Sequence, residues 1–525
     1  MGEPSVRRVS HEHAENAVPV GRIREALEAA GLLAGSRGAL PATITALTDD
    51  SRRVVAGSCF VAVRGSVRDG HEFVEHVGAL GATCVICEDP AATALPALLV
   101  NDTRAAAAVA AAAFHGEPAG QLRLVGVTGT NGKTTTVGIL RHLLDAPEAR
   151  AASLGTLGVL VGGPGAPLPG GAGLTTPGPI ELQRALRTLV DAGVKRVAME
   201  VSSHALAQQR VRGVAFDVAV FTNLTRDHLD YHGTMDAYLA AKALLLSALK
   251  ADGTAVVNAD DPAWLALPAA PRTLRFGVAA AHADSRAVGA PSAAAAGIDV
   301  RALETRFTPR GSEWKLAARG ETHPVRLPLI GDFNVANALA AAAAALASGL
   351  TVAEVASRLC TVPQVPGRLE LLAEQPTILR DYAHTPDALA RALAALRPFT
   401  PGRLIVLFGC GGDRDRGKRP LMAVAAREGA DHLVVTSDNP RTEDPERILD
   451  EIVAPLDAGT YDRIEDRRAA IAHAIALARQ DAARDVVLLA GKGHETYQIR
   501  GTETLPFDEK EIVRELTGGR ALGAR

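Results

Sequence analysis

The segment Gly126-Val-Thr-Gly-Thr-Asn-Gly-Lys133-Thr-Thr-Thr136 constrains the fold more than any other part of the chain. An apolar stretch at 122–127 precedes it and reads as a strand, while 137–144 reads as a helix. Strand, glycine-rich turn and helix in that order aim backbone N–H groups and a helix N-terminus at one point, where a phosphate chain fits. Lys133 would reach the β- and γ-phosphates, and the Thr134 hydroxyl would ligate Mg²⁺. The strict pattern G-x-x-x-x-G-K-[ST] wants glycine where this chain has Val127. The expectation is a nucleoside-triphosphate site on a parallel α/β sheet, set against the plainer reading of a tight turn.

A length of 525 residues is too much for one core and implies several domains. The 56 basic and 59 acidic residues nearly cancel, which argues against a nucleic-acid binder driven by a global positive field. Aromatic residues make up only 3%, so base-stacking platforms are not expected either. The start, 1–18, is polar and carries no apolar signal core. The alanine-dominated runs at 105–114 and 336–350 are shorter than the roughly 18 to 20 residues a membrane span needs. A cytoplasmic enzyme fits these facts. Five scattered cysteines do not make a disulfide framework. Cys84-Val-Ile-Cys87 matches C-x-x-C but lies in a strand-like run with no second pair nearby, so buried strand cysteines are expected rather than a redox or zinc site.

Three blocks of alternating strand and helix patterns follow one another. The first ends at the linker His115-Gly-Glu-Pro118-Ala-Gly120. The second holds the phosphate loop, strand candidates at 196–199, 218–221 and 254–257, and an alanine-rich helix at 333–348. A third starts near Val365-Pro-Gly-Arg368, with strands at 403–408, 432–436 and 485–489. The predicted fold is α/β: a central parallel-sheet phosphate-loop domain (118–353), flanked by an N-terminal α/β domain (1–117) and a C-terminal Rossmann-like domain (354–525). The stretch 279–297 reads as a flexible excursion and carries no assigned chemistry.

Chemistry-bearing residues gather at strand ends. Val197-Ala-Met-Glu200 is a strand ending in a carboxylate, suited to holding Mg²⁺ beside the phosphate loop. Phe221-Thr-Asn-Leu-Thr-Arg-Asp227-His228-Leu-Asp-Tyr-His232 follows another strand, and His228 could ligate a divalent ion through neutral imidazole. Lys242 lies in a mostly apolar helix, and by spacing alone it reads as a snorkelling surface lysine. Gly409-Cys-Gly-Gly-Asp-Arg414-Asp-Arg-Gly-Lys-Arg-Pro420 is a weak glycine-rich match whose four cations, Arg414, Arg416, Lys418 and Arg419, suggest recognition of anions. Thr436-Ser-Asp438-Asn-Pro-Arg441 puts a carboxylate and a guanidinium in one loop, which suits a zwitterionic amino acid. Gly491-Lys-Gly-His-Glu495, after the next strand, could complete that pocket.

Taken together, the loop Thr128–Thr135, Glu200-Val-Ser-Ser-His204, Thr222–His232, Asp381-Tyr-Ala-His-Thr-Pro386, Asp438–Arg441 and Gly491–Glu495 resemble the Mur ligase family, the ATP-dependent amino-acid-adding enzymes of peptidoglycan synthesis, and within it the members that add diaminopimelate. The likeness runs from about Thr48 to Gln498, and the family's loop takes the form with Val127. The resemblance implies an ATP-dependent ligase joining 2,6-diaminopimelate to UDP-N-acetylmuramoyl-L-alanyl-D-glutamate through an acyl phosphate, as a cytoplasmic monomer acting on small molecules, with neither nucleic acid nor membrane insertion involved.

By that resemblance Gly129, Thr130, Asn131, Gly132, Lys133, Thr134 and Thr135, with Asn334 and Asp381, bind ATP. Thr134, Glu200, His228 and Lys242 hold Mg²⁺, the lysine as a CO₂-derived carbamate, which reverses its surface reading. Lys133, Glu200, His228 and Lys242 are the implied catalytic residues. Ser51, Ser66, Thr175, Thr176, Ser202, Gln208 and Arg210 fall where the family contacts the UDP-muramoyl dipeptide. Arg414, Asp438, Asn439, Pro440, Arg441, Gly491 and Glu495 match the pocket for the incoming diamino acid, whose distal carboxylate can pair with Arg441. Another Mur ligase or a folylpolyglutamate synthetase would share the loop and metal residues, and the Asp438–Arg441 segment discriminates against both. A phosphate-loop motor acting on a macromolecule would need a polymer or protein partner to release ADP.

Overall fold

A computed structural model describes residues 17–65, 68–170, 174–278, 297–308 and 310–519. The chain divides into two compact units: Met1–Lys133, Leu144–Val256 and Ala263–Thr273 form the first, and Thr134–Leu143, Val257–Pro262 and Leu274–Arg525 the second.

The first unit opens with a five-stranded sheet ordered Leu33–Arg37, Ala97–Val100, Cys84–Cys87, Ser58–Val61, Ala46–Thr48. All neighbours are parallel except the Leu33–Arg37 edge. Cys59, Cys84 and Cys87 are buried in it as free thiols, as expected for Cys84 and Cys87. The helices Val20–Ala29 and Thr103–Phe114 share one core with this sheet. Alanine on the latter lets its backbone approach closely, and Ala105 to Ala108 are each at most 1% exposed.

Beyond it lies the sheet that carries the phosphate loop. Its order is Ala166–Leu168, Gly158–Val161, Ala151–Gly155, Arg196–Glu200, Arg123–Thr128, Phe216–Phe221, and then Leu249–Asn258. The strands from Ala151–Gly155 to Phe216–Phe221 are parallel, as predicted, whereas the edge Gly158–Val161 and Ala166–Leu168 is antiparallel.

In the second unit the strands Val300–Thr308, Gly311–Ala318 and Glu321–Leu327 form an antiparallel meander that no sequence pattern announced. The helix Asp332–Ala347 follows it. A six-stranded sheet then runs Glu370–Glu374, Thr377–Asp381, Val486–Ala490, Leu404–Phe408, His432–Val435, Tyr461–Arg463. It is parallel except for its first strand.

Period-two alternation sorts this sheet's apolar side chains. Leu404, Val406 and Phe408 pack with Leu389, Leu393, Met422 and Leu449 from the helices Pro386–Leu396, Lys418–Gly429 and Pro445–Val453. Ile405 and Leu407 face Ile471 and Ile475 of Arg467–Ala478 and Ile512 of Glu509–Leu516. Each such fully buried side chain is worth about 1.5–3 kcal/mol relative to exposure, and both faces are covered, as a doubly wound sheet requires. Among the described residues no helix is long and apolar enough to cross a membrane.

Candidate active site

The parallel register brings three strand ends to one edge. Glu200 lies opposite Val127, and Phe221 opposite Thr128. The loop after Arg123–Thr128 is therefore flanked by a carboxylate on one side and by the segment 222–228 on the other. That segment grips the loop: Thr130 N donates to Asn223 O (2.8 Å), Asn131 N to Asn223 Oδ1 (2.9 Å), and Thr222 Oγ1 to Asn131 O (2.7 Å). Gly129 adopts φ 148°, and a Cβ there would stand 1.9 Å from Thr222 Oγ1, so glycine is required. Lys133 Nζ donates to the carbonyls of Gly129 (2.8 Å) and Thr130 (2.9 Å), which holds its charge at the loop mouth.

Lys242 is not a surface lysine. It sits on the helix Met235–Ser247 at 1% exposure, and its Nζ donates to Gly129 O (2.8 Å) and lies 4.4 Å from the centre of the Tyr238 ring. Burial, and then the charge of Lys133, push its amine well below the ordinary 10.5, against a smaller opposing pull from Asp227. The helix is apolar nearly all round, so its sequence offered no stripe to say which side faces inward.

Tyr238 is pushed up to about 12 by burial, and its hydroxyl lies 3.3 Å from Thr130 Oγ1. Three imidazoles crowd the same region, the His204 ring lying 4.8 Å from that of His228 and 5.4 Å from that of His232. Burial first, and then the neighbouring histidines, bring His204 down to about 4. His228 and His232 are also lowered, chiefly by burial. The shift favours the neutral imidazole, the form that can ligate a metal, and His228 is set at φ 53°.

Glu200 is 2% exposed and accepts from Thr156 N (2.8 Å) and Thr156 Oγ1 (3.2 Å). A chain of hydrogen bonds runs on from it. Thr156 Oγ1 lies 3.2 Å from Thr175 Oγ1, and Thr176 Oγ1 donates to Glu200 O (2.9 Å) while accepting from Ser202 N (3.0 Å). Arg210 joins the Thr176 carbonyl (2.8 Å) to Gln208 Oε1 (2.7 and 3.0 Å). Thr175, Thr176, Ser202, Gln208 and Arg210, chosen from sequence, are therefore one connected polar wall beside Glu200. Ser51 opens the turn Ser51–Arg53, which reaches the helix Pro179–Asp191 through Arg53 and Glu181 (3.5 Å). Ser66 lies outside the described residues.

In the second unit Asn334 donates to Ile330 O (2.7 Å) and accepts from Asn337 Nδ2 (3.1 Å). Asp381 accepts from Leu369 N (2.7 Å) and Ala383 N (2.8 Å), and burial raises its carboxyl. Arg368, which the sequence placed at the start of the third block with no site role, donates to Thr134 Oγ1 (3.1 Å) and stacks 4.8 Å from the centre of the Tyr382 ring.

The 438–441 and 491–495 segments do come together. Asn439 Nδ2 donates to Glu495 Oε2 (2.9 Å), and Gly491, at φ 113°, leaves room where a Cβ would stand 2.6 Å from Asp438 Oδ2. Arg441, at φ 52°, donates from Nη1 to Gly412 O (2.8 Å). Asp438, Asn439 and Pro440 are buried, whereas Arg414 is exposed and donates to the Asp413 carbonyl (3.1 Å). Lys492, fully buried, ties the set by donating to Asn439 Oδ1 (3.0 Å) and Glu495 Oε2 (3.2 Å). Its motif was visible but its role was not.

The four-cation reading of 414–419 needs correction. Arg419 is fully buried against Glu443 (2.9 Å) and Glu451 (2.7 Å), Arg416 pairs with Glu451, and Lys418 donates to His384 O (3.0 Å). Internal carboxylates 24 to 35 residues downstream already occupy the two arginines.

Residues 127–345 match the Mur ligase middle domain, 367–493 the Mur ligase glutamate ligase domain, and 43–131 the Mur ligase family catalytic domain. The chain is 45% identical over 491 residues to a UDP-N-acetylmuramoyl-L-alanyl-D-glutamate--2,6-diaminopimelate ligase of Geobacillus thermodenitrificans, covering 91% of this chain and 95% of that one. It is 44% identical over 501 residues to a protein of the same description from Synechococcus elongatus, covering 92% and 96%. A solved structure of a ligase so described superposes with a TM-score of 0.61 at 35% identity, over 90% of this chain and 94% of that one. The chain belongs to the Mur ligase family.

Proposed function

We propose that this chain is an ATP-dependent ligase that adds 2,6-diaminopimelate to UDP-N-acetylmuramoyl-L-alanyl-D-glutamate, in the cytoplasmic synthesis of peptidoglycan precursors. The observation that carries this reading is identity above 40%, over nine-tenths of the chain, with ligases of that description. The geometry supports it at each strand end. On this reading residues 1–117 take the uridine end of the substrate, through Ser51 and Ser66, 118–353 take ATP, and 354–525 take the amino acid, with the chain working as a monomer on small molecules.

A carboxylate is a poor acyl donor, so the γ-phosphoryl of ATP passes to the γ-carboxylate of the D-glutamate residue, releasing ADP and leaving an acyl phosphate. The diaminopimelate amine attacks that carbonyl, and the tetrahedral intermediate expels phosphate and a proton. Lys133 and the loop amides neutralise and orient the transferring group. Asn334 and Asp381 contact the nucleoside, and Thr175, Thr176, Ser202, Gln208 and Arg210 hold the dipeptide so that its carboxylate faces the loop. Arg441 pairs with the distal carboxylate of the diamino acid, while Arg414, Asp438, Asn439, Pro440, Gly491 and Glu495 fix its amino-acid end.

Glu200 and His228 offer an oxygen and a nitrogen donor that suit a divalent ion, and Thr134 is the hydroxyl that the phosphate-loop pattern assigns to Mg²⁺, which when bound would shield the phosphate charge. A carbamate on Lys242 fits as well: burial and the charge of Lys133 drive the amine toward the neutral form that reacts with CO₂, and the resulting anion would turn repulsion from Lys133 into attraction.

Incubation with ATP, Mg²⁺, the UDP-linked dipeptide and labelled diaminopimelate should yield one labelled product and one ADP per turnover. Incorporation of L-lysine in preference to diaminopimelate would overturn the substrate assignment, and ADP release without the dipeptide would overturn the ligase.

A further inference from the structure

We propose that His432, Asp462 and His473 form a binding site for a divalent transition-metal ion of the zinc class, separate from the nucleotide site. The three come from different elements. His432 begins the strand His432–Val435, Asp462 is the middle residue of the neighbouring edge strand Tyr461–Arg463, and His473 projects from the helix Arg467–Ala478. The helix is anchored on the sheet through Ile471, Ala474 and Ile475, so the imidazole is presented by a rigid element.

Both Nε2 atoms converge on Asp462 Oδ2, at 2.7 Å from His432 and 2.6 Å from His473, and the three donor atoms all lie within 4.8 Å of one another. An ion with bonds of about 2.0–2.2 Å spaces tetrahedral donors roughly 3.4 Å apart. Opening each contact by about 0.7 to 0.8 Å is enough to admit it. Two imidazoles and one carboxylate make a nitrogen-rich set that suits zinc, cobalt, nickel or copper and not Mg²⁺. Side-chain exposures of 28%, 37% and 38% leave an entry path and a fourth position open to water.

The same contacts would serve as a plain hydrogen-bonded bridge if each Nε2 kept its proton. An ion instead takes both lone pairs, with each proton moving to Nδ1 or leaving. The site lies at the amino end of a strand whose carboxyl end leads to Thr436–Arg441, roughly 13 Å away at about 3.3 Å per residue. Occupancy would pin the edge strand to its neighbour and to the helix without touching the proposed substrate pocket.

Tag-free protein should be dialysed against Zn²⁺ alone and the bound metal counted, beside His473→Gln and the double variant His432→Gln/His473→Gln. Co²⁺ should be used in parallel for its ligand-field bands. The expected result is one equivalent of zinc lost in the double variant, affinity weakened about tenfold or more in the single one, and tetrahedral Co²⁺ bands that vanish with the histidines. Ligase turnover in Mg²⁺ should be unchanged in both variants. Equal zinc stoichiometry in wild type and double variant would mean that any ion sits elsewhere, the nucleotide site included, and would overturn the proposal, as would absence of bound zinc at micromolar free metal.

Discussion

Two buried lysines, Lys242 and Lys492, solve the same problem in opposite ways. Lys242 hydrogen-bonds a backbone carbonyl beneath an aromatic ring and is driven toward the neutral amine by burial. Lys492 is as deeply placed, but Glu495 stands 3.2 Å away and Asn439 accepts from it. Desolvation penalises an ammonium in both places. Where a carboxylate stands beside the nitrogen, the lysine organises its neighbours; where none does, burial drives it toward the neutral amine. Burial alone therefore does not distinguish the two lysines, and the partner within 4 Å does.

The sharpest way to break this contrast is to remove each amine. Lys242→Ala should lower turnover by about 10³-fold or more if its carbamate supports the phosphoryl transfer, and Lys133→Ala should do the same to ADP formation. Near-normal rates in either folded variant would remove the nucleotide site as the seat of chemistry. Lys492→Met should instead leave the half-buried Glu495 without its cation and cost about 1–3 kcal/mol of stability, read from denaturant midpoints. A loss confined to turnover, with stability intact, would erase the distinction.

Arg441→Ala should raise the KM for diaminopimelate about 10- to 100-fold, the size of a lost charge-assisted pair, with the KM for ATP unmoved. A uniform change in both would mean that the loop is merely scaffolding.

The smallest effect is on the stability–pH curve. Lys242 titrates below 10.5 in the folded chain and near it in the unfolded one, so the unfolded state binds more protons across that window and stability rises with pH through it. Lys242→Met should raise the melting temperature at pH 7 by about 2 °C, and the gap should shrink toward pH 10. A gap independent of pH would mean that the amine is charged when folded.

Much of this was legible in the chain because the chemistry sits where strands stop. Strand-plus-turn patterns located Lys133, Glu200, His228, Asp438 and Gly491 within loops that the register then brought to sheet edges. What stayed hidden depended on contacts far away in sequence. Lys242 lies on a helix with no polar face to orient it. Arg416 and Arg419 looked like ligand cations until Glu443 and Glu451 were seen to claim them. Arg368 reaches a hydroxyl 234 residues earlier. The meander 300–327 escaped because charged and apolar residues mix on its strands without clean alternation.

The grip of Thr222 and Asn223 on the turn at Gly129–Asn131 also bears on how a nucleotide is greeted. Because the segment after the neighbouring strand already fixes the backbone there, little disorder is left to remove when a phosphate arrives, and less of the ligand's contact energy is lost to ordering it. Affinity should then respond more to a cut in that lateral tether, as in Asn223→Ala, than to stiffening the turn itself, because the rigidity is borrowed from next door.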